Sequence, residues 1–380
     1  MELILKTQKA HAFWVFFSLI CYTFIMKTII FCGGHHNSSI PLAKKFKNDG
    51  CNIVYVGHKV TQKRNRELSS EYKEVTALGF SFINFVSPKF YKNNNPLKYL
   101  YLFGSLTWSF LILIKYRPCI LVSFGGYLAV PLCLAAKILG IKIVTHEQTV
   151  TMGMANRVIA KVADIIFLSW LPKITSPKYQ YVGLPLREEI LSIKPRGNSR
   201  EFKTVFITGG KQASHAFNQF VFDNIDNLLK VKDFRIIHQT AKNSQNDDYQ
   251  KAQSFMEKYG QSKYWAFDYA FGDTYKKVLS TADFLLSRSG AHITYELCYL
   301  KIPAILVPLS WVSQNEQEEN AKKAVEFFPC VILNEVLLTI DGFKKSVDDL
   351  VKVCSKKKTY GNVPLDATEK MYLEISKLIQ

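Results

Sequence analysis

Residues 33–39 read GGHHNSS, between an apolar run, Thr28-Ile-Ile-Phe-Cys32, and an amphipathic segment that begins Ile40-Pro-Leu-Ala. A strand, a glycine pair and a helix start, in that order, often hold a phosphate. Glycine lets backbone come close to a ligand, and the first helical N–H groups lack intrahelical acceptors. Two histidines in such a loop add groups that titrate near neutral pH, so His35 or His36 could take a proton from a substrate hydroxyl. Two other strand ends carry glycine pairs: Gly125-Gly126 before Tyr127, and Gly209-Gly210 before Lys211 and Gln212. None of these is a GxxxxGK[ST] phosphate loop or a full GxGxxG. One pair would mean little; three at strand-to-helix junctions point to a cleft lined by glycine loops.

Polar clusters accompany the glycines. Ser287-Arg-Ser-Gly-Ala-His-Ile-Thr-Tyr-Glu296 follows an apolar strand and opens a helix whose N–H groups could cradle a diphosphate. Glu296, one to two turns in, could bind a ribose diol or could be a surface carboxylate favoured by the helix dipole. Asn315-Glu-Gln-Glu-Glu-Asn320-Ala begins a further helix and reads as a sugar contact or as a polar cap. His146-Glu-Gln148 ends a strand of the first half, either facing the cleft or serving as a hydrogen-bonded strand end. His35, His36 and His146 form no HExxH and no His/Cys ligand spacing, so no metal site is expected.

The elements that must position these residues alternate. Short β-branched or aromatic runs at Thr28–Cys32, Asn52–Val56, Phe80–Phe85, Ile120–Phe124, Lys142–His146 and Asp164–Leu168 are separated by helix-period segments. That alternation predicts a parallel sheet covered on both faces. A Pro-, Gly- and charge-rich stretch from Lys178 to Ser199 reads as a linker, after which the alternation restarts at Thr204–Thr208. The expected division is an apolar extension (1–26), a first α/β domain (27–190), a second (200–360) and a C-terminal helix (361–380), with ligands at the carboxyl ends of the strands. Leu97–Tyr116 is apolar almost all round, which reads as buried core or, alternatively, as a membrane-facing surface.

Bulk properties narrow the partners. The chain has 380 residues and a formal net charge of +18, which favours polyanions or a membrane surface. The basic residues are scattered, and no zinc-finger spacing or RNP motif supports nucleic acid as the partner. Eight cysteines without a CxxC read as buried thiols in a reducing compartment. Ala10 to Met26 is apolar but shorter than the roughly 20 residues a span needs. It reads as an upstream mis-assigned start, as an anchor or interfacial helix, or as a signal peptide without a visible cleavage site.

Taken together, Phe124-Gly-Gly-Tyr127, His146-Glu-Gln148 with Asn156, Gly183-Leu-Pro-Leu-Arg187, Gly209-Gly-Lys-Gln212, Arg288-Ser-Gly-Ala291 with Glu296, and Gln317 with Asn320-Ala321 resemble the MurG-like glycosyltransferases. The resemblance runs from Lys27 to about Ala324. It implies a GT-B fold, two Rossmann-like doubly wound domains facing an interdomain cleft. It also implies metal-independent, inverting transfer of N-acetylglucosamine from its UDP donor to a polyprenyl-diphosphate-linked sugar in peptidoglycan precursor synthesis, at the cytoplasmic face of the membrane. By matching positions, the donor side would use Arg187, Gly210, Lys211, Gln212, Gly272, Arg288, Ser289, Gly290, Ala291, His292, Ile293, Glu296, Glu316 and Gln317. The acceptor side would use Gly33, Gly34, Asn37, Ser38, Gly125, Gly126, Tyr127, His146, Glu147, Gln148 and Asn156, with His36 or His35 as general base.

Some positions depart from the family pattern. Ser38 stands where the family's first loop carries histidine, Lys211 replaces a serine, Glu316 precedes Gln317 where a glutamine pair is usual, and Thr149 replaces an asparagine. A different polyprenyl-linked or surface glycan acceptor, a UDP-N-acetylglucosamine 2-epimerase and a non-catalytic UDP-sugar-binding partner are the competing readings.

Overall fold

The computed structural model describes residues 26–60, 68–87, 97–172, 176–195, 202–210, 214–231, 233–241, 247–309 and 315–380. The first half forms a seven-stranded sheet from β1 (Thr28–Cys32), β2 (Asn52–Gly57), β3 (Ser81–Asn84), β4 (Ile120–Ser123), β5 (Lys142–Glu147), β6 (Ile165–Leu168) and β7 (Tyr179–Tyr181), in the order 3-2-1-4-5-6-7. The second half forms a six-stranded sheet from β8 (Thr204–Thr208), β9 (Arg235–Gln239), β10 (Tyr264–Phe267), β11 (Phe284–Ser287), β12 (Ala304–Leu306) and β13 (Cys330–Ile332), in the order 10-9-8-11-12-13. Every named pairing is parallel. Continuous apolar runs such as Ile29-Ile30-Phe31 are buried because helices cover both faces of the sheet.

In both sheets the order reverses beside the first strand, between β1 and β4 and between β8 and β11. Such a switch point leaves a crevice at the carboxyl ends of the strands. The glycine pairs at 33–34, 125–126 and 209–210, and the 288–291 turn, all sit there, which is why the sequence spends glycine at those positions.

Three expectations change. The 178–199 stretch is not all linker, because Tyr179–Tyr181 adds β7 to the edge of the first sheet. The C-terminal helix, Ala367–Ile379, returns to the first half, where Met371 and Ile375 enter the core formed by Leu42, Phe46, Ile53 and Tyr55. Lys45 pairs with Glu369 at 2.5 Å along the same contact.

The third change concerns Leu97–Tyr116. It buries Ser105, Ser109, Ile112 and Leu113 against the helix Ala129–Ile138. Its other face is open, with Leu100 and Phe103 each 68% exposed and Tyr101, Trp108, Leu111 and Ile114 beside them. No helix among the described residues is long and apolar enough to cross a membrane. The N-terminal segment 1–25 lies outside the described residues.

Candidate active site

On the first half, the β1 and β4 loops are pressed together. Gly33 has φ +115°, and a Cβ there would come within 2.5 Å of the Gly125 carbonyl oxygen. Gly125 has φ +76°, and its Cβ would meet Asn156 Nδ2 at 2.8 Å. Neither position can hold a side chain, so the loops converge into one backbone-lined floor. Above it lies a cavity of about 540 Å³ whose polar wall includes His35, Gly126, Glu147, Gln148, Asn156 and Glu316. Leu102, Val130, Leu134, Met154 and Val158 add apolar side chains to its lining. Tyr127, also on the cavity, meets His58 Nε2 at 2.8 Å through its hydroxyl.

The His146-Glu-Gln148 cluster is fixed from behind. His146 is fully buried, and its Nε2–H donates to the Gly183 carbonyl at 2.9 Å. Burial lowers its pKa to about 4, so the ring stays neutral. Glu147 accepts from the Thr149 amide (3.0 Å), the Thr149 hydroxyl (2.8 Å), the Gly153 amide (2.9 Å) and Asn156 Nδ2 (2.8 Å). Both carboxylate oxygens are thereby used to shape the loop. Gln148 is buried on the cavity edge, and its Nε2 has no hydrogen-bond partner among the described residues.

The two loop histidines part company. His35 lines the cavity. His36 is 5% exposed, and its Nε2 lies 3.2 Å from Glu74, away from that cavity. Glu74 also takes Arg187 Nη2 at 2.5 Å, and Arg187 contacts Asn37 as well. Arg187, expected at the diphosphate, is therefore committed to the first half. A smaller pocket of about 190 Å³ joins Glu74 and Arg187 to Phe271 and Gly272 of the second half.

On the second half, the turn after β11 leads into the helix Ala291–Leu300, with extended Gly290 as its N-cap and no side-chain cap on the first amides. Ser289 donates its hydroxyl to the Gln317 carbonyl at 2.7 Å, and Gln317 Oε1 accepts the Leu309 amide at 3.1 Å. Ile293 packs against the core of this half. Glu296 accepts the Tyr275 hydroxyl at 2.6 Å. Gly210 has φ +85°; its carbonyl accepts Gln239 Nε2 at 2.9 Å. Lys211 and Gln212 lie outside the described residues.

Arg288, expected near the diphosphate, is held by contacts within its own half. Its guanidinium is buried, donates to the Val307 carbonyl (3.2 Å) and the Ser214 hydroxyl (2.9 Å), pairs with Glu335 and stacks over Phe217. These contacts tie the turn after β11 to Val307, Ser214 and Glu335.

Among the described residues, the contacts across the cleft include two hydrogen-bonding pairs and the Trp170 ring against Tyr295 and Phe327. Ser38 Oγ lies 3.1 Å from His292 Nε2, and Asn320 Oδ1 accepts the Val150 amide at 3.2 Å. Glu316, from the second half, reaches the cavity of the first. Burial first, and then the charge of Glu147, raise the Glu316 pKa to about 7. Sequence reasoning missed Glu74, Tyr275 and Gln239 as supports of the site. No local pattern marks them, since each meets its partner only through the fold.

Known proteins resemble this chain over most of its length. Residues 28–168 match the glycosyltransferase family 28 N-terminal domain, and residues 204–369 match the glycosyltransferase family 28 C-terminal domain. The UDP-N-acetylglucosamine--N-acetylmuramyl-(pentapeptide) pyrophosphoryl-undecaprenol N-acetylglucosamine transferase of Streptococcus pneumoniae strain JJA is 27% identical over 343 residues, 86% of this chain and 91% of that protein. Among solved structures, MurG of Acinetobacter baumannii superposes with a TM-score of 0.66 at 18% identity, covering 92% of this chain and 99% of that one. A UDP-GlcNAc 2-epimerase of Methanocaldococcus jannaschii in complex with UDP-GlcNAc and UDP gives 0.60 at 12% identity, over 93% and 100%. The structural likenesses carry the GT-B fold. With its two halves matching the two domains in order, the chain belongs to glycosyltransferase family 28.

Proposed function

We propose that this enzyme moves N-acetylglucosamine from UDP-N-acetylglucosamine to a sugar on a polyprenyl diphosphate, a step of peptidoglycan precursor assembly, at a membrane surface. The observation that carries the reading is the cavity between the halves. It is polar at the glycine loops, Glu147, Gln148 and Asn156, and apolar at Leu102, Val130, Leu134, Met154 and Val158 of the helices Leu97–Tyr116, Ala129–Ile138 and Met154–Ile159. An acceptor with a sugar diphosphate head and a hydrocarbon tail has that same division. The Streptococcus pneumoniae relative, named for a pyrophosphoryl-undecaprenol acceptor, agrees with it.

The donor would place its diphosphate on the uncapped amides at the start of the helix Ala291–Leu300, with Glu296 on the ribose. Such amides stabilise charge on a departing diphosphate, which supports transfer without a metal. His35, Gln148 and the Gly125–Tyr127 backbone would hold the acceptor head.

The exposed apolar face of Leu97–Tyr116 continues through Ile138, Leu139, Met154 and Val158 of the neighbouring helices. Lys115, Lys137 and Lys161 are exposed on or beside these helices. Such a surface with basic residues suits an anionic membrane on the cytoplasmic side. An epimerase would need no apolar wall, and that wall favours the transferase.

The test is UDP release from UDP-N-acetylglucosamine with and without membrane lipid extract. Release that depends on lipid supports the reading. Equal release in both arms, with N-acetylmannosamine formed, would replace it with epimerase chemistry.

A further inference from the structure

The attacking hydroxyl must pass its proton to a group within hydrogen-bond reach. The cavity between the halves presents one imidazole and two carboxylates that can take it up: His35, Glu147 and Glu316. Its Gln148 and Asn156 are amides and cannot. Glu147 has both oxygens occupied by donors of residues 149–156. His35 belongs to the first loop, within the acceptor half. Glu316 reaches the same cavity from the donor half, and among the described residues no hydrogen bond or ion pair occupies its carboxylate.

We propose that the Glu316 carboxylate is the general base that takes the acceptor's proton. Glu316 is the first residue of the helix Glu316–Ala324. The carbonyl of the next residue, Gln317, accepts the Ser289 hydroxyl at 2.7 Å, and Asn320 of the same helix donates its Nδ2 to the Ser289 carbonyl at 3.2 Å. The carboxylate is thereby tied to the turn that would hold the donor diphosphate, while it lines the cavity together with Glu147 and Gln148 of the acceptor half. The sugar being transferred must lie between those two sides, and so must the hydroxyl that attacks it.

Two departures from the family pattern fall on this seam. Ser38 stands where the first loop usually carries histidine, and Glu316 stands where a glutamine pair is usual. The acceptor side has lost an ionisable group, and the donor side has gained one. Ser38 does not replace the lost base, because its hydroxyl donates to Gln148 Oε1 at 3.5 Å. Burial, and then the charge of Glu147, bring the Glu316 carboxyl to about 7, the range in which a base is both ionised and able to hold a proton. On the elements packed against its helix, His292 is directed at Ser38, Glu296 at Tyr275 and Tyr295 at the Pro364 carbonyl, and Cys330 is buried. Glu147 is the charge that acts on it.

The step balances. The acceptor oxygen forms a bond to the anomeric carbon as the bond from that carbon to the diphosphate oxygen breaks. The bonding pair leaves with UDP. The hydroxyl proton passes to a Glu316 carboxylate oxygen, giving the neutral acid, and then to solvent.

The inference rests on the transferase reading, so the wild-type protein must first show lipid-dependent UDP release; its absence would fail that reading and not this step. Given it, kcat, the KM for UDP-N-acetylglucosamine and the Kd for UDP are measured against pH for wild type, Glu316→Gln, Glu316→Asp and His35→Gln, with saturating lipid extract. Glutamine keeps the size and can hydrogen-bond a sugar, but it cannot take up a proton. Glu316→Gln is expected to lose about a hundredfold or more in kcat, and to lose the rise of kcat with pH that wild type shows around 7. Its Kd for UDP should stay within about threefold of wild type, which also shows that it folds. Glu316→Asp, which keeps a carboxylate, should keep the pH dependence at a reduced kcat, and His35→Gln should keep it too. A kcat for Glu316→Gln within about tenfold of wild type would overturn the proposal. A raised KM for the donor at unchanged kcat would overturn it in favour of a sugar contact. Loss of the pH dependence in His35→Gln but not in Glu316→Gln would move the base to His35.

Discussion

Asn320 and Val150 tie the two halves together: the buried Asn320 side chain accepts the Val150 amide at 3.2 Å while its Nδ2 donates to the Ser289 carbonyl at 3.2 Å. One side chain thus holds the Ser289 turn and the loop after the His146-Glu-Gln148 cluster. Asn320→Leu removes both bonds and leaves two backbone groups without their partner, at about 1–3 kcal/mol each where they stay buried. Chemical denaturation should show a loss of that order, and calorimetry should show UDP binding weakened roughly tenfold as the Ser289 turn relaxes.

Glu147 makes a second prediction. Its carboxylate accepts four hydrogen bonds that shape residues 149–156. Glu147→Gln turns one accepting oxygen into a donor facing donors. The acceptor KM should rise by tenfold or more, with a smaller change in the Kd for UDP. Equal losses on both substrates would show that the loop does not belong to the acceptor side alone.

Stability should fall in acid through two buried histidines. Burial lowers His146 to about 4 and His238 to about 3, below the unfolded value near 6.5. Between those limits the unfolded chain binds more protons than the folded one, so stability rises with pH. The contribution is complete above about 6.5 and is lost as pH falls toward the folded values. A urea-denaturation series from pH 7.5 to 4.5 should show this slope, and His146→Gln should flatten it.

Glu316 works in the opposite sense. Its folded pKa is raised to about 7 by burial and by Glu147, so the folded chain holds the extra proton and stability falls as pH rises from the usual carboxylate range toward 7. Partial exposure discounts the effect to roughly 1–2 kcal/mol. Glu316→Gln should therefore stabilise the protein at pH 8 more than at pH 5, by thermal melts at both values.

The exposed apolar face of Leu97–Tyr116 gives a separable prediction. Leu100→Ser with Phe103→Ser should lower co-sedimentation with anionic vesicles severalfold while UDP affinity holds. Unchanged sedimentation would remove this face from the docking surface.

Much of the fold was legible because parallel strands buried on both faces must be apolar throughout, and each strand end at the switch point needed glycine. Runs such as Thr28–Cys32 and Thr204–Thr208 therefore announced themselves. Tyr179–Tyr181 did not: a three-residue edge strand beside a Pro-rich stretch carries little pattern. The C-terminal helix was foreseen, but not its packing on the first half, because pairings such as Lys45 with Glu369 exist only after the chain returns. The site divides the same way. The family resemblance placed Arg187 and Arg288 among ligand contacts; the fold adds their ion pairs with Glu74 and Glu335, which no local pattern announces. His292 was visible as one residue of the donor turn; only the fold shows that its ring meets Ser38.

The most direct test of the account is transfer of radiolabelled N-acetylglucosamine from its UDP donor to a purified polyprenyl-diphosphate-linked N-acetylmuramyl acceptor, run with and without EDTA. The account predicts label in the lipid fraction at a rate that EDTA does not change. Label that stays in the aqueous phase as free or epimerised sugar, with none on the lipid, would contradict it.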